Sequence, residues 1–220
     1  MKYMSVFLML YREYANITKI LFERQLLLDS NPFCQTNFHG KDSYDVTWSG
    51  KGTQSSILFD EEKSCLELLT AVRSARQYSL LLYDKSIIQA EYVIENENIV
   101  KGRLLFIKLQ NKIWSRDEME EYADDPDMLD EYLDEEIGLP TMIRIDYDPK
   151  NHVDCEHPQS HFVFNNLKDC RIPMKSVISL GQFLDFIFKQ VYGMSIPQLQ
   201  EISFDSTITE QEMKLMHINW

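Results

Sequence analysis

Alternation of apolar and polar residues with period two constrains this chain more than any other feature. From Ser86 to Ile94, the side chains of Ile88, Ala90, Tyr92 and Ile94 fall on one side of an extended backbone, and Ile87, Gln89, Glu91 and Val93 fall on the other. The segment after Pro140 repeats the pattern, with Ile143, Ile145 and Tyr147 alternating against Met142, Arg144, Asp146 and Asp148. A third alternation sets His161 and Val163 against Phe162 and Phe164. Strands written this way bury one face of a sheet and leave the other polar. With Tyr78 to Tyr83 and Ile99 to Leu109 added, and turns near Asp84-Lys85 and Glu95 to Asn98, they predict an antiparallel meander.

Helices frame that meander. Apolar residues Val6, Leu10, Ile17, Ile20, Leu21 and Leu28 recur at helical spacing, which predicts an amphipathic helix from about Ser5 to Leu28, closed by Asp29 to Pro32. Tyr44 to Trp48 reads as a short strand and Glu61 to Ala75 as a second helix. Leu180 to Tyr192 reads as a C-terminal helix, because Ser179 and Gln182 stand at capping-box spacing and Gly193 stops it. His217 to Trp220 is expected to finish the chain as a strand. The fold class is therefore α+β: an antiparallel, meander-rich sheet with an N-terminal helix and a C-terminal helix packed on it.

Length and linker content predict one domain over residues 1–220, since seven glycines and seven prolines are too few for a flexible joint. An acidic insertion is expected at about 115–138. Twelve of the thirty-five acids lie between Asp117 and Glu136 with no Lys or Arg among them, so this segment holds nearly all of the net charge of −13. That charge opposes non-specific attraction to phosphate backbones, and nucleic acid is expected only at a local basic site. Charge runs are most often solvated helical faces; the sharper alternatives are a docking surface for a basic protein partner or a mimic of nucleic acid. Cys34, Cys65, Cys155 and Cys170 are scattered, which favours reduced thiols and a cytoplasmic setting. The apolar run Met4 to Leu10 is interrupted by Arg12 and Glu13, so neither a signal peptide nor a membrane span is expected.

Chemistry concentrates between residues 144 and 171, which hold three of the five histidines. If the strands pair in sequence, Gln89, Glu91, Arg103, Arg144, Asp146 and His161 share one side of one sheet. His157 and His161 are then candidate proton carriers. Arg144, Arg103 or Arg171 would hold phosphate oxygens, and Asp146 would orient an imidazole. The candidate catalytic residues are His157, His161, Arg144, Asp146 and Arg171; the candidate binding residues are Gln89, Glu91 and Arg103. The same residues also suit a buried polar network in which Arg144 and Asp146 neutralise each other and His161 bonds a carbonyl. A zinc set of Cys155, His157, His161 and Cys170 has suitable ligand types, but Cys-x-His is not a familiar finger spacing. No glycine-rich phosphate loop or nucleophile elbow occurs, and no cofactor is expected.

The string Glu156-His157-Pro158-Gln159-Ser160-His161, with Asp169-Cys170-Arg171-Ile172-Pro173 and the helix from Gln182 to Phe188, resembles a bacterial family known only as domain of unknown function twenty-two ninety. Asn37-Phe38, Trp48-Ser49-Gly50, Ile88-Gln89, Arg103-Leu104, Arg144 to Asp148 and His217-Ile218-Asn219 extend the likeness over most of the chain. The resemblance carries no activity, cofactor or catalytic assignment, and implies a defence or mobile-element setting. The Arg-x-Asp strand followed by histidines is also similar to small nuclease-like toxins of toxin–antitoxin pairs. Acidity and resemblance together favour an interaction or regulatory component of such a locus, with a protein partner encoded by a neighbouring gene. The alternatives are a metal-independent, RNase-like nuclease and a metal-binding protein.

Overall fold

Antiparallel pairing carries the alternation of the sequence into one sheet, which has nine strands among the described residues. The structure is a computed structural model that describes residues 4–40, 42–52, 65–109, 140–164, 167, 170–199 and 202–215. Helix α1 (Val6–Glu23) leads into β1 (Leu27–Ser30), β2 (Phe33–Gly40) and β3 (Ser43–Trp48). Helix α2 (Cys65–Ser74) precedes β4 (Leu80–Leu82), β5 (Ile87–Glu95) and β6 (Asn98–Leu109). Strands β7 (Pro140–Tyr147), β8 (Ser160–Phe164) and β9 (Ile172–Pro173) follow, then helices α3 (Leu180–Gln190) and α4 (Glu210–Leu215).

The spatial order is β1-β4-β5-β6-β7-β8-β9, and β3 joins the far half of β5 with β2 outside it. Leu80 and Leu81 of β4 face Ile88 and Ile87, whereas Ser43 to Val46 of β3 face Glu95 to Tyr92. The β5–β6 turn has only Asn96 and Glu97 at its tip, both at positive φ (48° and 60°), the twist that suits a two-residue hairpin.

One face of the sheet holds the main core. Leu10, Tyr14, Ile17 and Leu21 of α1 and Phe183, Leu184, Ile187 and Phe188 of α3 pack with Ile88, Ala90, Tyr92, Leu104, Phe106, Ile143 and Ile145. Burying each such side chain is worth roughly 1.5–3 kcal/mol. A one-residue slip of β5 would turn Ile88, Ala90 and Tyr92 to the other face at once, so its register is firmly held. On the opposite face, among the described residues, α2 covers one end, where Leu69 and Val72 meet Tyr78, Ile87, Leu105 and Ile107.

The expected α+β architecture and both framing helices are present, with α3 closed at its start by the reciprocal Ser179–Gln182 capping box. The first helix is shorter than its apolar periodicity suggests. Leu26 N–H donates to the Leu21 carbonyl and Gln25 N–H to that of Phe22, with Gln25 at φ 58°, so a left-handed residue ends α1 and releases Leu27 to Ser30 as a strand. The strand from Phe33 to Gly40 was not expected from the sequence. The acidic segment and the proposed final strand at His217 to Trp220 lie outside the described residues.

Candidate functional site

Register places the charged residues in rows. Glu91 stands opposite Arg103, Arg103 opposite Asp146, and Asp146 opposite His161, so four strands contribute to one line across the sheet. In the adjacent row Gln89 faces Leu105, Leu105 faces Arg144 and Arg144 faces Val163. The six residues expected on one side of the sheet therefore share it.

Asp146 is the hub. Arg103 Nε lies 3.0 Å from its Oδ1, and Arg144 Nε lies 2.8 Å from Oδ2. The guanidinium groups approach from neighbouring strand positions and neutralise a carboxylate whose side chain is 13% exposed. His161 Nε2 is 3.8 Å from Oδ2, within electrostatic reach but beyond a direct hydrogen bond. The other ring nitrogen, Nδ1, lies 2.8 Å from the Pro158 carbonyl. A carbonyl only accepts, so Nδ1 carries the proton and the neutral ring presents its Nε2 lone pair toward Asp146. Burial lowers the His161 pKa below the usual 6.5, against smaller opposing pulls from the Pro158 carbonyl and Asp146.

The β7–β8 connection sets His157 over this ring. A short 3-10 turn (Pro149–Asn151), a Val153–His157 bridge and Cys155 at φ 65° fold the loop tightly, and His157 N–H donates to the Val153 carbonyl at 2.7 Å. The His157 and His161 rings meet edge to face, 4.8 Å between centroids. His157 Nδ1 is buried and has no hydrogen-bond partner among the described residues.

These groups line a cleft of about 190 Å³ together with Lys101, Tyr147, Asp148 and Arg171. Four cations, Lys101, Arg103, Arg144 and Arg171, face two carboxylates, Asp146 and Asp148. All five candidate catalytic residues thus come together in one place, which is locally basic on a strongly acidic chain. Lys101 is 3.8 Å from Asp148, and Arg171 makes no ion pair among the described residues. Such a lining is suited to an anion with several oxygens.

The candidate binding residues divide. Gln89 is buried and donates from Nε2 to the Gln77 carbonyl at 2.7 Å, so it ties the segment after α2 to the sheet and does not line the cleft. Arg103 lines the cleft, and Glu91 lies beside it in an ion pair with Lys51 at 2.5 Å. Of the suggested zinc set, His157 and His161 adjoin. Cys155 lies instead near Asp154 and Glu212, and burial, followed by those carboxylates, raises its thiol pKa. Among the described residues, the ligand atoms that cluster are those of His152, Asp154 and Glu212. Glu212 is already committed there: its Oε2 accepts from Thr209 N at 2.9 Å as a helix cap, and its Oε1 lies 3.3 Å from His152 Nε2. Lys51, His39 and Asp45, which border the same face, had no distinguishing signal in the sequence.

Fold and site define an α+β protein whose antiparallel sheet is covered by α1 and α3 on one face and bears α2 and a basic, two-histidine cleft on the other. Among the described residues, no helix is long and apolar enough to cross a membrane. The family model described as Uncharacterized conserved protein (DUF2290) matches residues 27–220, and the chain belongs to that family. No curated protein and no solved structure matches it.

Proposed function

We propose that the protein is a metal-independent ribonuclease acting at this cleft. The observation that carries the proposal is the convergence of two imidazoles and four cations around Asp146. A neutral His161 with Nδ1–H held by Pro158 has a lone pair at Nε2 to accept the proton of a ribose 2′-hydroxyl. The 2′-oxygen then attacks phosphorus. As the bond from phosphorus to the 5′-oxygen breaks, a proton passes from the His157 imidazole to that leaving oxygen. A 2′,3′-cyclic phosphate and a 5′-hydroxyl result. Asp146 stabilises the imidazolium that forms on His161, and Arg171, Lys101 and Arg103 meet the charge on the phosphorane oxygens. The guanidinium groups of Arg103 and Arg144 already occupy both oxygens of Asp146, which favours fixed cations over a metal for that task.

Incubation of end-labelled RNA in EDTA, with product ends identified by mass, tests this. Cleavage leaving cyclic phosphate is expected, with His157→Ala and His161→Ala each slowing it by about a hundredfold or more. Intact RNA, or cleavage unaffected in both folded variants, would refute it.

A protein partner is a second proposal, supported by the concentration of twelve acids between Asp117 and Glu136. The flanking residues Leu109 and Pro140 pair with each other, six rungs from the Arg103–Asp146 pair, which is about 20 Å along the strands. A basic partner that docks on the acidic segment would act as a regulator encoded beside a nuclease in a defence or toxin–antitoxin locus. Co-purification with the neighbouring gene product, abolished when Asp124, Asp125, Asp127 and Asp130 are changed to Asn, is expected. Equal affinity after neutralisation would remove the proposal.

A further inference from the structure

A second cavity of about 310 Å³ adjoins the histidine cleft on the same side of the sheet, and the two share Lys101, Gly102 and Arg103. Its volume falls at the lower end of small-molecule sites, which span roughly 300–1,000 Å³. The linings differ in chemistry. Four cations dominate the cleft, whereas the second cavity adds Asp45, Glu91 and His39 to the shared pair of cations. An added phosphate would meet two carboxylates there, so the second cavity is not a repeat of the first.

Both carboxylates are held in place. Asp45 accepts from Asn37 Nδ2 at 2.8 Å, and its other oxygen lies 3.2 Å from His39 Nε2. Glu91 Oε2 accepts from Lys51 Nζ at 2.5 Å, while its second oxygen has no partner among the described residues. A carboxylate with lone pairs to spare recognises paired N–H donors, the pattern that the edge of guanine presents through its ring N–H and exocyclic amino group. Glu91 stands two strand spacings from Asp146 through Arg103, about 10 Å, the reach from a phosphate across its ribose to the edge of the base.

We infer that the Asp45–Glu91 cavity is a nucleobase subsite that selects guanine next to the phosphate held in the histidine cleft. The inference rests on the ribonuclease reading of that cleft for the position of the phosphate. It also explains why Lys101 and Arg103 stand between the two linings: they contact the backbone of one continuous strand.

Equilibrium binding of guanosine 3′-monophosphate, uridine 3′-monophosphate, ribose 5-phosphate and inorganic phosphate, measured by calorimetry on the full chain, tests the subsite. Guanosine monophosphate is expected to bind at least tenfold more tightly than ribose phosphate, with the uridine nucleotide close to ribose phosphate. Glu91→Gln and Asp45→Asn, each checked for an unchanged melting profile, should collapse that ratio toward one, because an amide replaces an acceptor with a donor. No advantage of the guanine base in the unmodified protein, or an advantage that survives both variants, would overturn the inference. Guanine preference without binding of inorganic phosphate would support the subsite and count against the ribonuclease cleft. RNA cleavage with no base preference would do the reverse.

Discussion

His161 and Asp146 sit directly opposite each other on β8 and β7, with the imidazole Nε2 3.8 Å from the carboxylate oxygen Oδ2. The gap is too long for a hydrogen bond, yet short enough for the carboxylate to favour a proton arriving on the ring. Burial works against that proton and prevails, so the resting ring is neutral near pH 7. A base that is neutral at rest but welcomed when charged is poised for reversible proton uptake.

That balance has a consequence for stability. The His161 pKa is lower in the folded protein than in the unfolded chain, so the unfolded chain binds the proton more readily. The contribution is fully present above the unfolded value of 6.5 and is lost as pH falls through the lower folded value. Urea unfolding of the wild type should weaken as pH drops below 6.5, and His161→Gln should flatten that part of the profile. Parallel profiles would show that the ring does not drive the loss.

Asp146→Asn keeps the shape but removes the charge that Arg103 and Arg144 share. Two partly buried guanidinium groups are then left side by side, at a cost of about 2–4 kcal/mol in unfolding free energy. Removing Arg103 in the same chain should recover part of the loss, because one of the opposed cations goes with it. A double-mutant cycle in urea measures the coupling. Additive losses would mean that Arg103 does not depend on Asp146.

Lys108 and Asp84 form an ion pair with side chains only 4% and 3% exposed, and Asp84 also accepts from Tyr192 Oη and Ser86 Oγ. Lys108→Met should cost about 3–5 kcal/mol, since it strands a buried carboxylate. Restoring neutrality with Asp84→Asn in the same chain should return a measurable part of that loss. The melting temperatures of the two single variants and the double variant decide the matter.

Gly181 is a steric requirement. A Cβ there would stand 1.9 Å from the Leu199 carbonyl oxygen and 2.8 Å from Glu13 Oε1, so Gly181→Ala should destabilise by about 3 kcal/mol or more. At Gly102 the nearest atom, Tyr92 Cδ1, is 3.4 Å away, and Gly102→Ala should leave the melting temperature almost unchanged. Equal effects at the two positions would contradict the close approach of α3 to the segment around Leu199.

Much of the sheet and most of the cleft were legible in the sequence because period-two alternation assigns side chains to faces without knowledge of contacts. Arg144, Asp146 and His161 could be placed together by parity alone once β7 and β8 were taken to pair. Gln89 passed the same test yet is buried and bonded to Gln77 in the segment after α2, because parity gives the face and not what covers it. The end of α1 was hidden by Gln25, which adopts a left-handed conformation that sequence reading expects of glycine. His39, Asp45 and Lys51 were missed for a different reason. His39 comes from β2, Asp45 from β3 and Lys51 from the residues after β3, and nothing local in sequence announces that β3 pairs with β5.

The Leu109–Pro140 rung has a practical meaning for anyone who wishes to shorten this polypeptide. Two backbones already held at ladder distance need only a tight turn to join them, so a graft such as Asn-Gly across that rung would leave the residues on either side in register. A chain joined in this way would lose twelve acids together with Lys112 and Arg116, and its formal charge would fall from −13 to −3.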